Sequence, residues 1–285
     1  MLESTLKEAQ EYCEKLAKSH YENFIVASLF LPTNLKQHFY NVYAYCRISD
    51  DLADESPDPT TALKLLDDWL SQLNDCYAGK PRHPVFVALR ETIDKFQIPI
   101  DPFRDLLIAF RQDQTKTRYN TYDELLEYCR YSANPVGHLV LYLFGYSDEK
   151  RQHLSNQTCT ALQLANHWQD IERDLTRLDR IYLPLEDMDR FGYSQDDLRK
   201  SVCDQRFQSL MAFEIQRTRT LFEEGLKLSN MVEPKLGFDI ELFGRCGLAV
   251  LQQIEAANYD VFRKRPEISK FDRMKILTRC WWDRK

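Results

Sequence analysis

Apolar and polar residues alternate with the period of an α-helix along most of the chain. Residues 34–54, NLKQHFYNVYAYCRISDDLAD, set Phe39, Val42, Tyr43, Cys46 and Ile48 on one broad apolar stripe. The stripe stops at SPDP, where Pro57 and Pro59 cannot continue a helix. TTALKLLDDWLSQLNDCYAG predicts a second helix, closed by Gly79 at its C-cap, and HPVFVALRETIDKF predicts a third. Asp101 followed by Pro102 has the form of an N-cap and first helical position for DPFRDLLIAFRQDQTK. Thr121 with Glu124 three residues on predicts a capping box opening TYDELLEYCRYSANPVGHLVLYLFG, which Pro135 interrupts or kinks. A long helix is expected over 148–177, with two more amphipathic stretches near 205–230 and 237–262. The N-terminal MLESTLKEAQEYCEKLAKSH reads as a charged amphipathic helix. No segment shows bounded β-type alternation, and no linker or short-period repeat divides the sequence. The expectation is one all-α domain over residues 1–285.

Composition narrows the function classes. Of 285 residues, 44% are hydrophobic, with only 8 Gly, which suits a sizeable buried core and neither a β-sandwich nor a disordered chain. The net charge of −6 argues against nucleic acid, whose binding relies on neutralising phosphates with cations. The 8 Cys form no C-x-x-C pair, and the N-terminus lacks a secretory pattern. Reduced, mostly buried thiols in a cytoplasmic protein are expected, without zinc. No run approaches the roughly 20 apolar residues of a membrane span; HLVLYLFGY is too short. Trp281 and Trp282, beside basic residues, suit either a membrane interface or a cover for the core, and the second is favoured.

Two acidic patterns carry the candidate chemistry. YCRISDDLADE holds Asp50 and Asp54; NHWQDIERD holds Asn166, Asp170 and Asp174, with Gln163 before them. Residues four apart share a helix face. Like charges at that spacing destabilise a helix by about 0.2–0.5 kcal/mol per pair, and a bound cation would turn the repulsion into chelation. An all-oxygen ligand set favours Mg²⁺, which is usually held by one or two carboxylates plus substrate phosphates. Solvated acidic faces are the ordinary alternative for any one such pair. Here both pairs end strongly apolar helices, and Arg47 stands one turn before Asp50, placed to meet an anion.

YCRISDDLADE and QLANHWQDIERD followed by RIYLP, with HYENF and YSANPVG in the same order, resemble the signature motifs of squalene and phytoene synthases. These are trans-type, head-to-head isoprenoid synthases. The resemblance covers roughly residues 12 to 260. It implies the isoprenoid-synthase helical bundle with a central cavity. It also implies that Asp50, Asp54, Asn166, Asp170 and Asp174 bind several Mg²⁺ ions, with Gln163 beside the second set. Arg47 and Arg180 match diphosphate-binding positions, and Tyr182 and Tyr131 match aromatic positions at the substrate. Asp51 and Glu55 lie beside the ligand stripe. The chemistry so implied is ionisation of a prenyl diphosphate, with the carbocation shielded from stray water and faced by aromatic rings. Tyr43, Tyr45, Trp168 and Phe24 are candidates for those rings, with ordinary core packing as the alternative for each.

Two positions depart from the condensing members. Glu22, in His20-Tyr21-Glu22-Asn23-Phe24, stands where they carry a diphosphate-binding Lys, and Gln169 stands where they often carry Arg. HYENF with Val26-Ala27-Ser28 resembles instead the bacterial hydroxysqualene synthase branch of the squalene and hopanoid pathway. That branch takes presqualene diphosphate and quenches its cation with water, so no NADPH is expected. Glu22, with His20 nearby, is the candidate to orient or deprotonate the quenching water; pairing with a neighbouring cation is the alternative. A greasy substrate implies peripheral contact with the inner face of a membrane, and the pathway implies coupling to the other squalene-pathway enzymes.

Overall fold

The structure is a computed structural model that describes residues 5–19 and 32–282. The predicted all-α class holds: no strand occurs among the described residues, only one isolated parallel bridge between Arg118 and Ile181. Contacts divide the chain into two compact units, one of the residues up to Thr115 with Pro135–Gln152, the other of Lys116–Asn134 with the residues from His153 onward.

The first unit contains α1 (Leu6–Ser19), α2 (Lys36–Asp54), α3 (Pro59–Tyr77), α4 (Pro84–Phe96) and α5 (Asp101–Gln112), with most of α7 (Asn134–Leu143). Proline opens α3 and α4, where its missing N–H costs nothing. Asp58 and His83 cap those helices through side-chain acceptors. Gly79 follows α3 with φ +78, a left-handed turn that suits glycine. Helix α2 is fixed on three neighbours. Asn41 donates to the Ala88 carbonyl and Thr92 Oγ1, both at 3.0 Å. The fully buried Tyr45 donates to the Phe103 carbonyl at 2.8 Å, and Trp69 donates to Ser49 Oγ at 2.9 Å. These bonds settle which face of α2 is left for Arg47, Asp50 and Asp54.

The second unit contains α6 (Tyr122–Ser132), most of α8 (Glu149–Gln169), α9 (Ile171–Leu178), α10 (Leu185–Arg190), α11 (Gln195–Arg199), α12 (Gln205–Gly225) and a 3₁₀ turn (Leu226–Asn230). Helices α13 (Pro234–Ala256) and α14 (Lys270–Trp282) complete it. Helix α8 is placed by close approach. A Cβ on Gly225 of α12 would lie 2.6 Å from the Thr158 backbone nitrogen, and one on Gly247 of α13 would lie 2.2 Å from the Phe222 ring. Trp168, fully buried, donates to Thr218 Oγ1 at 2.8 Å.

Several boundaries differ from expectation. The helix over 148–177 breaks at Asp170, which takes φ −106 between α8 and α9. The four-residue bonding still runs through, since Asp170 donates to Asn166 and Asp174 to Asp170 along the backbone. Ile100, not Asp101, is the N-cap of α5. Thr121 does cap α6, but Glu124 receives the Asn120 amide, so no reciprocal box forms there. The stretches near 205–230 and 237–262 resolve into α12 with its 3₁₀ turn, and α13 ending at Ala256. All eight cysteines are free, as expected, and four of them are buried. Trp281 and Trp282 are exposed and do not cover the core.

Candidate active site

The first motif ends α2 in the first unit. Arg47 Nη1 donates to Asp50 Oδ2 at 3.3 Å, while Nη2 pairs with Asp51 and lies 3.6 Å from Glu55. Arg47 Nε is buried with no hydrogen-bond partner among the described residues. Partial burial, and then the Asp54 carboxylate, push the Asp50 carboxyl up to about 6 against the pull of Arg47. Asp54 is exposed, and Tyr43 is half-buried one turn before Arg47. Asp51 and Glu55 therefore serve to hold Arg47 rather than to stand idle in solvent. Tyr45 belongs to the core: its hydroxyl is bonded and its ring lies 5.0 Å from that of Phe103.

The second motif spans the α8–α9 break. Gln163 is half-buried and Asn166 exposed, on the same helical side as Asp170 and Asp174. Burial first, and then Asp170, raise the Asp174 carboxyl to about 7, against Arg173, Arg180 and Arg265. Asp170 receives a two-pronged pair from Arg265, with Nε at 2.6 Å and Nη2 at 2.9 Å. Gln169 brackets that pair: its Oε1 accepts from Arg265 Nη2 at 3.0 Å and its Nε2 donates to the Pro266 carbonyl. Gln169 stands where condensing members often carry Arg. Arg265 brings a cation to the same motif from outside it.

Behind this motif, RIYLP is stitched to 117–120, with Ile181 donating to Thr117 and Leu185 to Tyr119, both at 2.9 Å. Tyr182 is buried in a ring stack, 3.5 Å from His167 and 5.6 Å from Tyr119. Asp174, Arg180, Tyr182 and His167 line one small cavity. Burial, and then Arg180, hold His167 neutral down to about 3, and its Nε2 has no hydrogen-bond partner among the described residues. His167 thus shares the cavity of Asp174 rather than pointing away from the motif. Trp168 is a core residue. Tyr131 is half-buried at the end of α6, with the Arg130 guanidinium 5.4 Å from its ring. His20, Glu22 and Phe24 lie outside the described residues. The two motifs occupy different units.

The pattern of the squalene/phytoene synthase family matches residues 17–272. The chain belongs to that family. It is 32% identical to a phytoene synthase of Arthrospira platensis over 96% of this chain and 93% of that protein. Identity is also 32% to a 15-cis-phytoene synthase of Synechocystis sp. (strain ATCC 27184 / PCC 6803 / Kazusa), over 98% and 86%. Among solved structures, squalene synthase HpnC from Alicyclobacillus acidocaldarius is 45% identical with a TM-score of 0.85, covering 89% of this chain and 95% of that one. A dehydrosqualene synthase in complex with ligand is 27% identical with a TM-score of 0.86, over 98% and 97%. The protein is therefore an isoprenoid synthase.

The donor set suits the metal that the family resemblance implies. Among the described residues, no group of three or more His, Cys, Asp or Glu could hold an ion alone. Each motif instead offers a carboxylate pair with elevated proton affinity in one member. Such pairs fit Mg²⁺ that completes its shell with substrate phosphate and water.

Proposed function

We propose that this synthase converts presqualene diphosphate and water into hydroxysqualene and diphosphate. The observation that carries the reading is the 45% identity to squalene synthase HpnC, joined to Glu22 in HYENF, where condensing members carry Lys. A carboxylate there disfavours a second diphosphate, and a substrate with one diphosphate needs no such Lys.

Asp50 and Asp54 would hold Mg²⁺ at the first motif, and Asn166, Asp170 and Asp174 at the second, with Gln163 hydrogen-bonding beside them. Magnesium supplies Lewis-acid stabilisation of the departing diphosphate. Arg47, kept on α2 by Asp50 and Asp51, supplies a fixed positive charge for the same group, and Arg180 a second. Tyr43 and Tyr131 are half-buried and offer ring faces to a hydrocarbon cation. Glu22 and His20 orient the quenching water and take its proton; no hydride donor is required.

The second reading is head-to-head condensation of two prenyl diphosphates, favoured by the phytoene synthases that match along nearly the whole chain. Purified enzyme with Mg²⁺ and presqualene diphosphate, with and without NADPH, separates the two. Hydroxysqualene in both reactions is the expected product. Turnover of farnesyl or geranylgeranyl diphosphate alone would establish condensation, and squalene formed only with NADPH would make it a reducing synthase. Glu22→Gln is expected to lower hydroxysqualene yield; an unchanged yield removes Glu22 from the water step.

A further inference from the structure

Helix α14, KFDRMKILTRCWW, is amphipathic with its apolar stripe facing outward. At 100° per residue, Phe271, Met274, Thr278, Trp281 and Trp282 fall within an arc of about 100°. Exposure of the four apolar members is 69%, 58%, 53% and 74% in chain order. They are four of the large apolar side chains most open to solvent in a chain whose core is otherwise well filled. The inner face is thin: Cys280 is the one residue of α14 that is buried. Ile276 and Arg279 border a groove of about 640 Å³ shared with Arg245, Leu248 and Gln252 of α13. The inner face rests on α13, and the outer face leaves four large apolar side chains in water, the mark of a surface built for an apolar contact.

The charges identify that contact. Helix α14 carries Lys270, Arg273, Lys275 and Arg279 against the single acid Asp272, in a chain whose net charge is −6. Lys270 and Lys275 sit at the two margins of the stripe. Lys275 lies along the Phe271 ring, its Nζ 4.4 Å from the centroid, so its stem covers apolar surface while the ammonium stays at the rim. Trp and Phe on one face with Lys at its edges is the pattern of a helix lying in a lipid interface. A second copy packed symmetrically through this stripe would bring the lysine margins against each other. No helix among the described residues is long and apolar enough to cross a membrane, so any contact made here is with the surface.

We infer that α14 docks the enzyme on an anionic lipid surface, burying Phe271, Met274, Trp281 and Trp282 at the headgroup boundary with Lys270 and Lys275 on the phosphates. The inference stands whichever prenyl diphosphate the enzyme takes. It is tested on the full chain by co-sedimentation with vesicles of phosphatidylcholine alone or mixed with phosphatidylglycerol. Tryptophan emission is followed in parallel, as is mass in solution by light scattering. Wild type should partition about tenfold or more better onto the anionic vesicles, with a blue shift and with loss at high salt, as expected for several cations near such a surface. Two variants are compared, Lys270→Glu with Lys275→Glu, and Phe271→Ser with Met274→Ser and Trp282→Ser. Each should lose about tenfold in partitioning, while circular dichroism and thermal midpoint stay near wild type because the replaced side chains are exposed. Equal partitioning of either variant and wild type would overturn the inference. So would failure of wild type to bind either vesicle, or a dimer that the serine variant abolishes.

Discussion

Asp239 is the clearest residue in the protein held against its own solvation. It lies on α13, 7% exposed, with Oδ1 lacking a hydrogen-bond partner among the described residues. Burial pushes its carboxyl up to about 7. An unfolded Asp titrates near 3.9, so between about pH 4 and pH 7 the folded chain keeps a proton that the unfolded chain has released. Stability must then fall as pH rises through that window and level off above it. Asp174, raised to about 7, acts in the same direction. Asp239→Asn, which cannot ionise, removes the cost of a buried charge and should raise unfolding free energy at pH 7.5 by about 2 kcal/mol. It should also flatten the slope between pH 5 and 7.5. Urea titrations at stepped pH measure both, and an unchanged slope would show that Asp239 is solvated. The same contrast separates what sequence revealed about the site from what it hid. Asp50, Asp54, Asp170 and Asp174 were legible because their spacing equals one helical turn. Arg265 was not, because it meets Asp170 across 95 positions of sequence and belongs to no periodic pattern. Gln169 looked like a missing charge because its work, bracketing Arg265, is tertiary.

Among the elements, α12 carries the most consequential polar cluster. Arg217 donates to Glu214 at 2.6 Å and to Asp187 of α10 at 2.6 Å, and its guanidinium carbon lies 3.4 Å from the Tyr122 ring centroid on α6. Glu214 is fully buried and Asp187 nearly so. One cation therefore ties three elements together while neutralising two buried acids. Removing it strands both carboxylates, and breaking a buried pair this way costs about 3–5 kcal/mol. Arg217→Ala should lose that much in equilibrium urea unfolding. Arg217→Ala with Glu214→Leu should recover part of it, since one of the two stranded charges is gone. A loss under about 1 kcal/mol would place the pair in the weak class of solvated bridges. The helices themselves were readable wherever proline and glycine punctuate them, as at α3 and α4. The break at Asp170 was not, because backbone bonding continues on either side and the apolar pattern runs through unchanged. Helix α14 escaped notice for the opposite reason: its apolar stripe faces outward and follows no core.

For the whole molecule, the net charge of −6 conceals where the charge lies. Carboxylates cluster at the two motifs, whereas α14 carries four cations against one acid. Gathering acids has a stability cost. Asp50 and Asp174 are both pushed up by burial and a neighbouring Asp, so the ligand-free protein carries repulsion that a bound cation would relieve. If Mg²⁺ with inorganic pyrophosphate binds the folded state alone, it should stabilise by about 2.7 kcal/mol at a hundredfold excess over Kd. In a chain of this size that is a rise in Tm of about 5–10 °C. Mg²⁺ without pyrophosphate should do much less, because it prefers a shell shared with phosphate. Asp170→Asn with Asp174→Asn should reverse both effects, raising Tm of the ligand-free protein by removing one repulsive pair and losing most of the ligand-induced rise. Scanning calorimetry of both proteins, with and without the two ligands, provides the comparison. If the double variant keeps the full rise, the second motif is a solvated acidic face and the diphosphate is held elsewhere. If it loses the rise without gaining stability when free, the carboxylates bind metal but Arg265 already neutralises their repulsion in the ligand-free protein.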